Sequence, residues 1–285
     1  MTRRTFGGPL TTREQVEQAT ILRCVVGSSA HGLHLNDGLE DRDEMGICVE
    51  PMAVAMGSAA PFEQYIYRSA AEREHRHDAP SVGGDLDLVV YSLRKFARLA
   101  LGGNPTVLMV LFASDVVQCD ARGSQLRDLA PAFASRVAGK KFLGYLSSQR
   151  QRMLGERGNG GHGRPRDELV QKFGYDTKFA MHMLRLGYQG IEYLQTGKLT
   201  MPMNEPERSY LFDVRQGGYD MQHVLTRAGE LERELKDLLD TSPLPEEPDT
   251  AQVDEWMVRI YIRAWSADRK SRDIAEDAAL CRRGR

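Results

Sequence analysis

Two aspartates interrupt an otherwise apolar, partly β-branched run at residues 85–91, Asp-Leu-Asp-Leu-Val-Val-Tyr. Such a run predicts a strand. Residues two apart on a strand project to one face, so Asp85 and Asp87 are expected side by side. A carboxylate in an apolar sheet is costly to bury unpaired. The strand therefore calls for a cation beside it.

A second acidic pair lies upstream, in Glu40-Asp41-Arg42-Asp43-Glu44, and leads into the short apolar run Met45–Val49. On an extended segment Asp41 and Asp43 share a face, and two like charges repel unless a cation sits between them. A hard divalent ion, Mg²⁺ or Mn²⁺, suits such oxygen donors. A solvated acidic turn fits Asp-x-Asp by itself equally well. A third carboxylate from a neighbouring strand would complete a site for two ions, one activating a hydroxyl and one holding a triphosphate. Before these acids, the apolar run Ile21–Val26 reads as a buried strand that ends in Gly27-Ser28-Ser29. Glycine permits close backbone approach, and the N–H groups that follow can hold a phosphate. Alone, a Gly-Ser turn is a weak signal.

Around these strands, Thr11-Thr12-Arg13-Glu14 predicts a short helix to about Thr20, and residues 30–35 a helical turn. Residues 72–84 read as an exposed loop, and Ser92 as the cap of a helix beginning Leu93-Arg94-Lys95. Strand, turn, helix, strand, loop, strand, helix is an α-and-β beginning. From Phe142 onward helical stripes dominate, such as Val253, Trp256, Met257, Ile260 and Tyr261, and these read as core packing. The acidic, proline-rich stretch 242–249 reads as a linker before the last helix. The expected organisation is a domain over 1–118 and a helical domain over 119–285.

Formal net charge is -2 and charged residues make up 27%. No global basic field points to a general nucleic-acid coater, although a local basic groove stays open. Cys24, Cys48, Cys119 and Cys281 form no C-x-x-C pair, so a zinc site has little support. Cys24 and Cys48 lie in the strand runs and read as buried free thiols. The basic N-terminus has no apolar segment behind it, and no stretch is long enough to span a bilayer. The expectation is a cytoplasmic protein without membrane contact.

Together, GSSAHG, EDRDEMG and DLDLVV resemble the DNA polymerase beta-like nucleotidyltransferase superfamily, whose pattern is a strand ending in Gly-Ser, a short helix, Asp-x-Asp and a third acid on a later strand. The resemblance is closer to the bacterial and phage branch described as RNA ligase-associated or RNA-repair-pathway nucleotidyltransferases. It is carried by Ser29-Ala30-His31-Gly32, by Tyr91–Phe96, by Gly103-Asn104-Pro105, and by Lys178, His182 and Arg185, and it covers roughly residues 21–217. Glu40 stands where many members have Ser. The resemblance implies an α+β fold, a polymerase-beta-like palm built on a mixed sheet with flanking helices, plus a mainly helical C-terminal part. It implies that Asp41, Asp43 and Asp87 hold two Mg²⁺ or Mn²⁺ ions, with Asp87 favoured over Asp85 by its apolar flanks. The substrate would be an NTP and the acceptor a hydroxyl on an RNA end or on a protein, with release of pyrophosphate.

Other residues carry two readings each. His31 either touches the nucleotide or shapes its turn, and His34 reads as structural or exposed. Arg94 or Lys95 either reaches the triphosphate or faces solvent. Asn104 reads as a cap. Lys178, His182 and Arg185 share one helical face, which is either solvated or, as the resemblance implies, turned to the active site to contact phosphate or acceptor, with Arg208 and Arg215 as weaker candidates. Gly27, Ser28 and Ser29 would position phosphates. Residues 155–166, GERGNGGHGRPR, read as a loop that either closes over substrate or is plain surface, and they lack the P-loop pattern. Two rival classes remain: a catalytically silent binding protein of the same fold, and a phosphohydrolase built on His75-Arg76-His77-Asp78. Nucleotide preference and oligomeric state are not legible.

Overall fold

The computed structural model describes residues 10–33, 41–58, 61–75, 83–156 and 164–283, with side chains described up to 267. His34, Glu40, most of the His-x-His-Asp cluster, the middle of the glycine-rich loop and the last two residues lie outside these. In chain order the elements are α1 (Arg13–Ala19), β1 (Thr20–Val25), α2 (Gly27–Ala30), β2 (Arg42–Cys48), α3 (Met52–Met56), β3 (Gln64–Arg68), α4 (Ser69–Glu74), β4 (Leu86–Ser92) and α5 (Leu93–Leu101). Then come α6 (Pro105–Phe112), β5 (Val116–Cys119), α7 (Ala121–Asp128), α8 (Ala130–Phe133), α9 (Arg136–Met153), α10 (Asp167–Phe173), α11 (Thr177–Thr196), α12 (Glu207–Arg215), α13 (Met221–Thr241) and α14 (Thr250–Arg283).

The strands form one sheet in the order β3-β4-β2-β1-β5. β2 and β4 run parallel, and the other pairs are antiparallel. The expected mixed sheet is therefore present, with two edge strands that the sequence pattern did not reveal. β3 has no fully buried residue and β5 has four residues, so neither shows the long apolar run of β1. Residues 72–74, expected in a loop, belong to α4. The helical turn expected at 30–35 begins earlier, at Gly27.

Caps fix several boundaries. Thr12 and Gln15 form a reciprocal capping box at α1, Ser92 accepts from Lys95 N at 3.1 Å, and Asp176 accepts from Lys178 N and Phe179 N at α11. Each such cap contributes about 1 kcal/mol. Asn104 caps α6 through Thr106 N and donates to Tyr145 Oη at 3.1 Å. Gly103 before it has φ +70, and a Cβ there would lie 2.5 Å from Ala138 Cα. Glycine is what lets α9 come this close.

The largest buried cluster runs from Ile21 to Ile260 and crosses position 118 without a break. α9, α11 and α13 pack on one another, and Phe96 on α5 meets Phe133 on α8 edge to face. The acidic stretch before α14 is tied down: Arg136 N donates to Pro245 O at 2.8 Å and Asp249 N to Ala132 O at 2.8 Å. α14 returns to the sheet, where Tyr261 Oη and Trp265 Nε1 donate to Glu50. Cys24 and Cys48 are buried free thiols, and burial pushes the Cys24 thiol up to about 11. No described helix is long and apolar enough to cross a membrane.

Candidate active site

Strand register assembles the acids. β2 and β4 are parallel neighbours, and Asp43 lies directly opposite Asp87. Asp41 precedes β2 by one residue. All three can offer a carboxylate oxygen within 4.8 Å of one another, and all three are half-buried. Asp85 does not join them. It lies just before β4, is buried, accepts from Ser69 Oγ at 2.8 Å and pairs with Arg73 of α4. The alternation that would place Asp85 beside Asp87 holds only inside a strand, and Asp85 is outside it.

Glu44 is also buried but is neutralised between Arg23 and Arg42. Asp87 faces Arg68 on β3: the register puts them opposite, and Arg68 Nε lies 3.3 Å from both carboxylate oxygens.

Gly27, directly after β1, sits against the cluster. Its φ is +74, and a Cβ on it would lie 2.2 Å from Asp43 Oδ2. Val26 N donates to Asp43 O at 2.9 Å. The glycine thus gives Asp43 its space, a role beyond the phosphate cradle expected of it. Ser28 is half-buried next to Gly27, and Ser29 is exposed.

A cleft of about 370 Å³ opens here, within the usual range for small-molecule sites. Its lining brings Gly27, Asp43, Asp87 and Arg68 together with His31, His182 and Arg185, and includes the apolar Met45, Val89, Pro105 and Met109. α11 supplies His182, Arg185 and Gln189 from one face. Arg185 donates to His31 Nε2 at 2.7 Å and to Gln189 Oε1 at 2.8 Å, while its buried Nε has no partner among the described residues. Burial pushes the Arg185 guanidinium down to about 10, so it stays a cation at neutral pH. Burial, Arg185 and His182 hold His31 well below the usual histidine range, and burial plus Arg185, Lys178, Arg166 and Arg215 do the same to His182. Both imidazoles are therefore neutral beside a cation that has no carboxylate in hydrogen-bond contact among the described residues. A half-buried cation in that setting is suited to an incoming anion.

Lys178 begins α11, half-buried and close enough to influence His182, but it does not line the cleft. Arg215 donates to Thr177 Oγ1 at 3.3 Å, and Arg208 pairs with Glu205. Arg94 and Lys95 are not brought to the acids. They follow the far end of β4, roughly 20 Å from Asp87 at a strand's rise per residue, and Lys95 bonds Gln64 at 2.8 Å. Arg68, Met109 and Gln189 are site residues that the sequence reading missed. For Arg68 the signal was present but faint: Gln64-Tyr-Ile-Tyr-Arg68 is a short strand with a cation at its end. Gln189 continues the Lys178, His182, Arg185 face by one more turn.

A family model described as the RNA repair pathway DNA polymerase beta family matches residues 8–259. No curated relative matches the sequence. A solved structure described as a nucleotidyltransferase-like protein from Exiguobacterium sibiricum aligns with 78% of this chain and 69% of its own, at 11% identity and a TM-score of 0.27, too low to carry an argument. The family match spans the whole sheet, the acid cluster and the basic face of α11. It is the family of a polymerase-beta-type nucleotidyltransferase, and it accounts for the α+β architecture. With a model matching from before α1 into α14, the chain belongs to the RNA repair pathway DNA polymerase beta family.

Proposed function

We propose that this chain transfers a nucleoside monophosphate from an NTP to a hydroxyl, with release of pyrophosphate, and that the acceptor is an RNA end. The observation that carries the reading is the meeting, in one cleft, of clustered carboxylates with a half-buried arginine that has no carboxylate in hydrogen-bond contact among the described residues.

The donor set fits hard divalent ions. Asp41, Asp43 and Asp87 offer oxygens only, close together, as Mg²⁺ or Mn²⁺ requires, and a cationic side chain already lies against one of them. Bound there, divalent ions would supply hydroxyl activation and neutralise the leaving pyrophosphate. The protein's own part is positioning and charge. Arg185 faces the triphosphate, with His31 and Gln189 fixing its guanidinium. His182, neutral, donates or accepts one hydrogen bond, and Lys178 adds positive field from the start of α11. The backbone at Gly27 and Ser28 approaches the phosphates. The apolar surface of Met45, Val89, Pro105 and Met109 receives the sugar or base. In the transfer, the acceptor oxygen bonds to Pα as the bond from Pα to the pyrophosphate oxygen breaks, and the hydroxyl proton leaves to solvent. The family's description, with its RNA repair pathway, supports an RNA acceptor.

The test is pyrophosphate release from each of the four NTPs with Mg²⁺, with and without short RNAs, in wild type and Asp41→Ala/Asp43→Ala. Metal-dependent release that the double variant loses is the expected result. NTP binding without release, whatever the acceptor, would instead favour a silent binding protein.

A further inference from the structure

We infer that Arg68 is the acid cluster's built-in counter-cation, and that its guanidinium and a divalent ion compete for Asp87. The inference rests on the proposal that the three aspartates hold a divalent ion, but not on which reaction follows.

The register places Arg68 of β3 opposite Asp87 of β4, and Asp87 opposite Asp43 of β2. Directly paired residues project to the same face of a sheet, so the three form a row: cation, acid, acid. Without a counter-charge, clustered carboxylates repel one another. Arg68 supplies that charge when no ion does.

The contact is suited to exchange. Arg68 Nε lies 3.3 Å from both Oδ1 and Oδ2 of Asp87, longer than the roughly 2.7–2.9 Å of a tight charge-assisted bond. The side chains are 30% and 23% exposed, so water reaches the pair. Because both oxygens face the guanidinium, an ion that takes either one weakens the pair. The displaced side chain has somewhere to go. Arg68 lines the cleft and also an outer groove of about 900 Å³ along β3, which it shares with Arg13, Tyr67, Glu72 and His75. Glu72 offers it a second carboxylate there. The motion needed is a rotamer change at a strand's last residue, with no backbone rearrangement. Metal loading would then turn a cation that faces the acids into one that faces the groove.

The experiment is a Mn²⁺ titration of EDTA-stripped protein, followed by the EPR signal of free Mn²⁺, with thermal midpoints measured on the same samples. Arg68→Ala should tighten Mn²⁺ binding roughly two- to fivefold, the worth of a partly exposed ion pair. It should lower the midpoint of the metal-free protein more than that of the Mn²⁺-saturated protein. Arg68→Gln, which keeps most of the side chain at this edge position, should tighten binding likewise and serves if the alanine variant folds poorly. Arg13→Ala removes a cation from the same groove that pairs with Glu17 and lies over the Tyr67 ring, and should leave Mn²⁺ affinity unchanged. Unchanged or weaker binding in both Arg68 variants overturns the competition. Equal tightening in Arg13→Ala also overturns it, since the effect would then be general field. Mn²⁺ binding that Asp41→Ala/Asp43→Ala abolishes, without pyrophosphate release from wild type, would sink the transferase reading and leave this inference standing. No Mn²⁺ binding by wild type or either Arg68 variant overturns both.

Discussion

At the residue scale the site depends on fit as much as on charge. Gly27 has φ +74, and its missing side chain is the space that the Asp43 carboxylate fills. Gly27→Ala should therefore act as an indirect lesion of Asp43. A left-handed alanine costs about 1–2 kcal/mol, and displacing the carboxylate by about 1 Å is expected to cost on the order of 100-fold in pyrophosphate release. Weakened Mn²⁺ binding in the same variant would trace the loss to Asp43, and unaltered Mn²⁺ binding would sink that explanation. Arg185 poses the opposite case. Its half-buried cation is partly desolvated, yet it donates to His31 and Gln189. In Arg185→Met the relief of desolvation and the loss of these bonds oppose each other. The thermal midpoint should move by no more than roughly 3 °C, while NTP affinity falls at least about tenfold, the loss of one charged phosphate contact. A large fall in midpoint would mean that Arg185 chiefly serves the fold. Short-range spacing drew attention to Gly27, Asp41 and Asp43, whereas His31, His182 and Arg185 were singled out through the family resemblance. Asp85 and Asp87 could not be separated that way, since the strand's first residue decides which acid alternates with the sheet. Arg68 left only a faint signal because its partner is chosen by register, which is a property of two strands.

At the scale of elements, the long ones were legible and the short ones were not. β1, β2, β4 and the stripe of α14 announce themselves through apolar runs or helical periodicity. β3 and β5, at the two edges, carry half-buried residues and owe their form to the neighbour they pair with. Arg94 and Lys95 lie away from Asp87 for an element-scale reason: a strand has two ends, and Asp87 is near the first while α5 starts at the second. That second end has its own anchor, where α14 meets Glu50 through Tyr261 Oη at 2.7 Å and Trp265 Nε1 at 2.9 Å. Burial raises the Glu50 carboxyl above its ordinary 4.5, against the opposing pull of the Tyr261 bond. The folded chain thus holds this proton to higher pH than the unfolded chain does. The associated stability is complete below about pH 4.5 and is lost as pH rises through the folded value. Glu50→Gln keeps an acceptor for Tyr261 and removes the charge. It should raise the thermal midpoint by a few degrees at pH 8 and leave it unchanged at pH 4. A lower midpoint at pH 8 would show that the carboxylate is better satisfied than its burial implies.

At the scale of the whole molecule, the question is whether the sheet half and the helical half are separable. The sequence suggests a boundary near 118, and β5, the last strand, does end at Cys119. The core ignores it. Phe96 packs on Phe133, Phe112 on Tyr193, and the cluster beginning at Ile21 continues to Ile260. The cleft is shared in the same way, with acids from β2 and β4 and cations from α11. Cutting at 118 would strip the covering helices from α5 and α6, whose buried residues include Phe96, Leu108 and Val110. Each large apolar side chain so exposed costs about 1.5–3 kcal/mol, against a total stability of only about 5–15 kcal/mol. The fragment 1–118 is therefore expected not to fold by itself. The intact chain should unfold in one cooperative step. It offers a sharp probe, because its two tryptophans, Trp256 and Trp265, both lie on α14, and Trp265 touches Glu50 at the sheet's end. Tryptophan fluorescence then reports the contact between the halves, while far-UV circular dichroism reports the helices as a whole. Coincident denaturant midpoints are the expected outcome. A fluorescence change that precedes loss of helix, or a 1–118 fragment with its own cooperative transition, would mean that two domains meet at this cleft and that substrate binding has to bring them together.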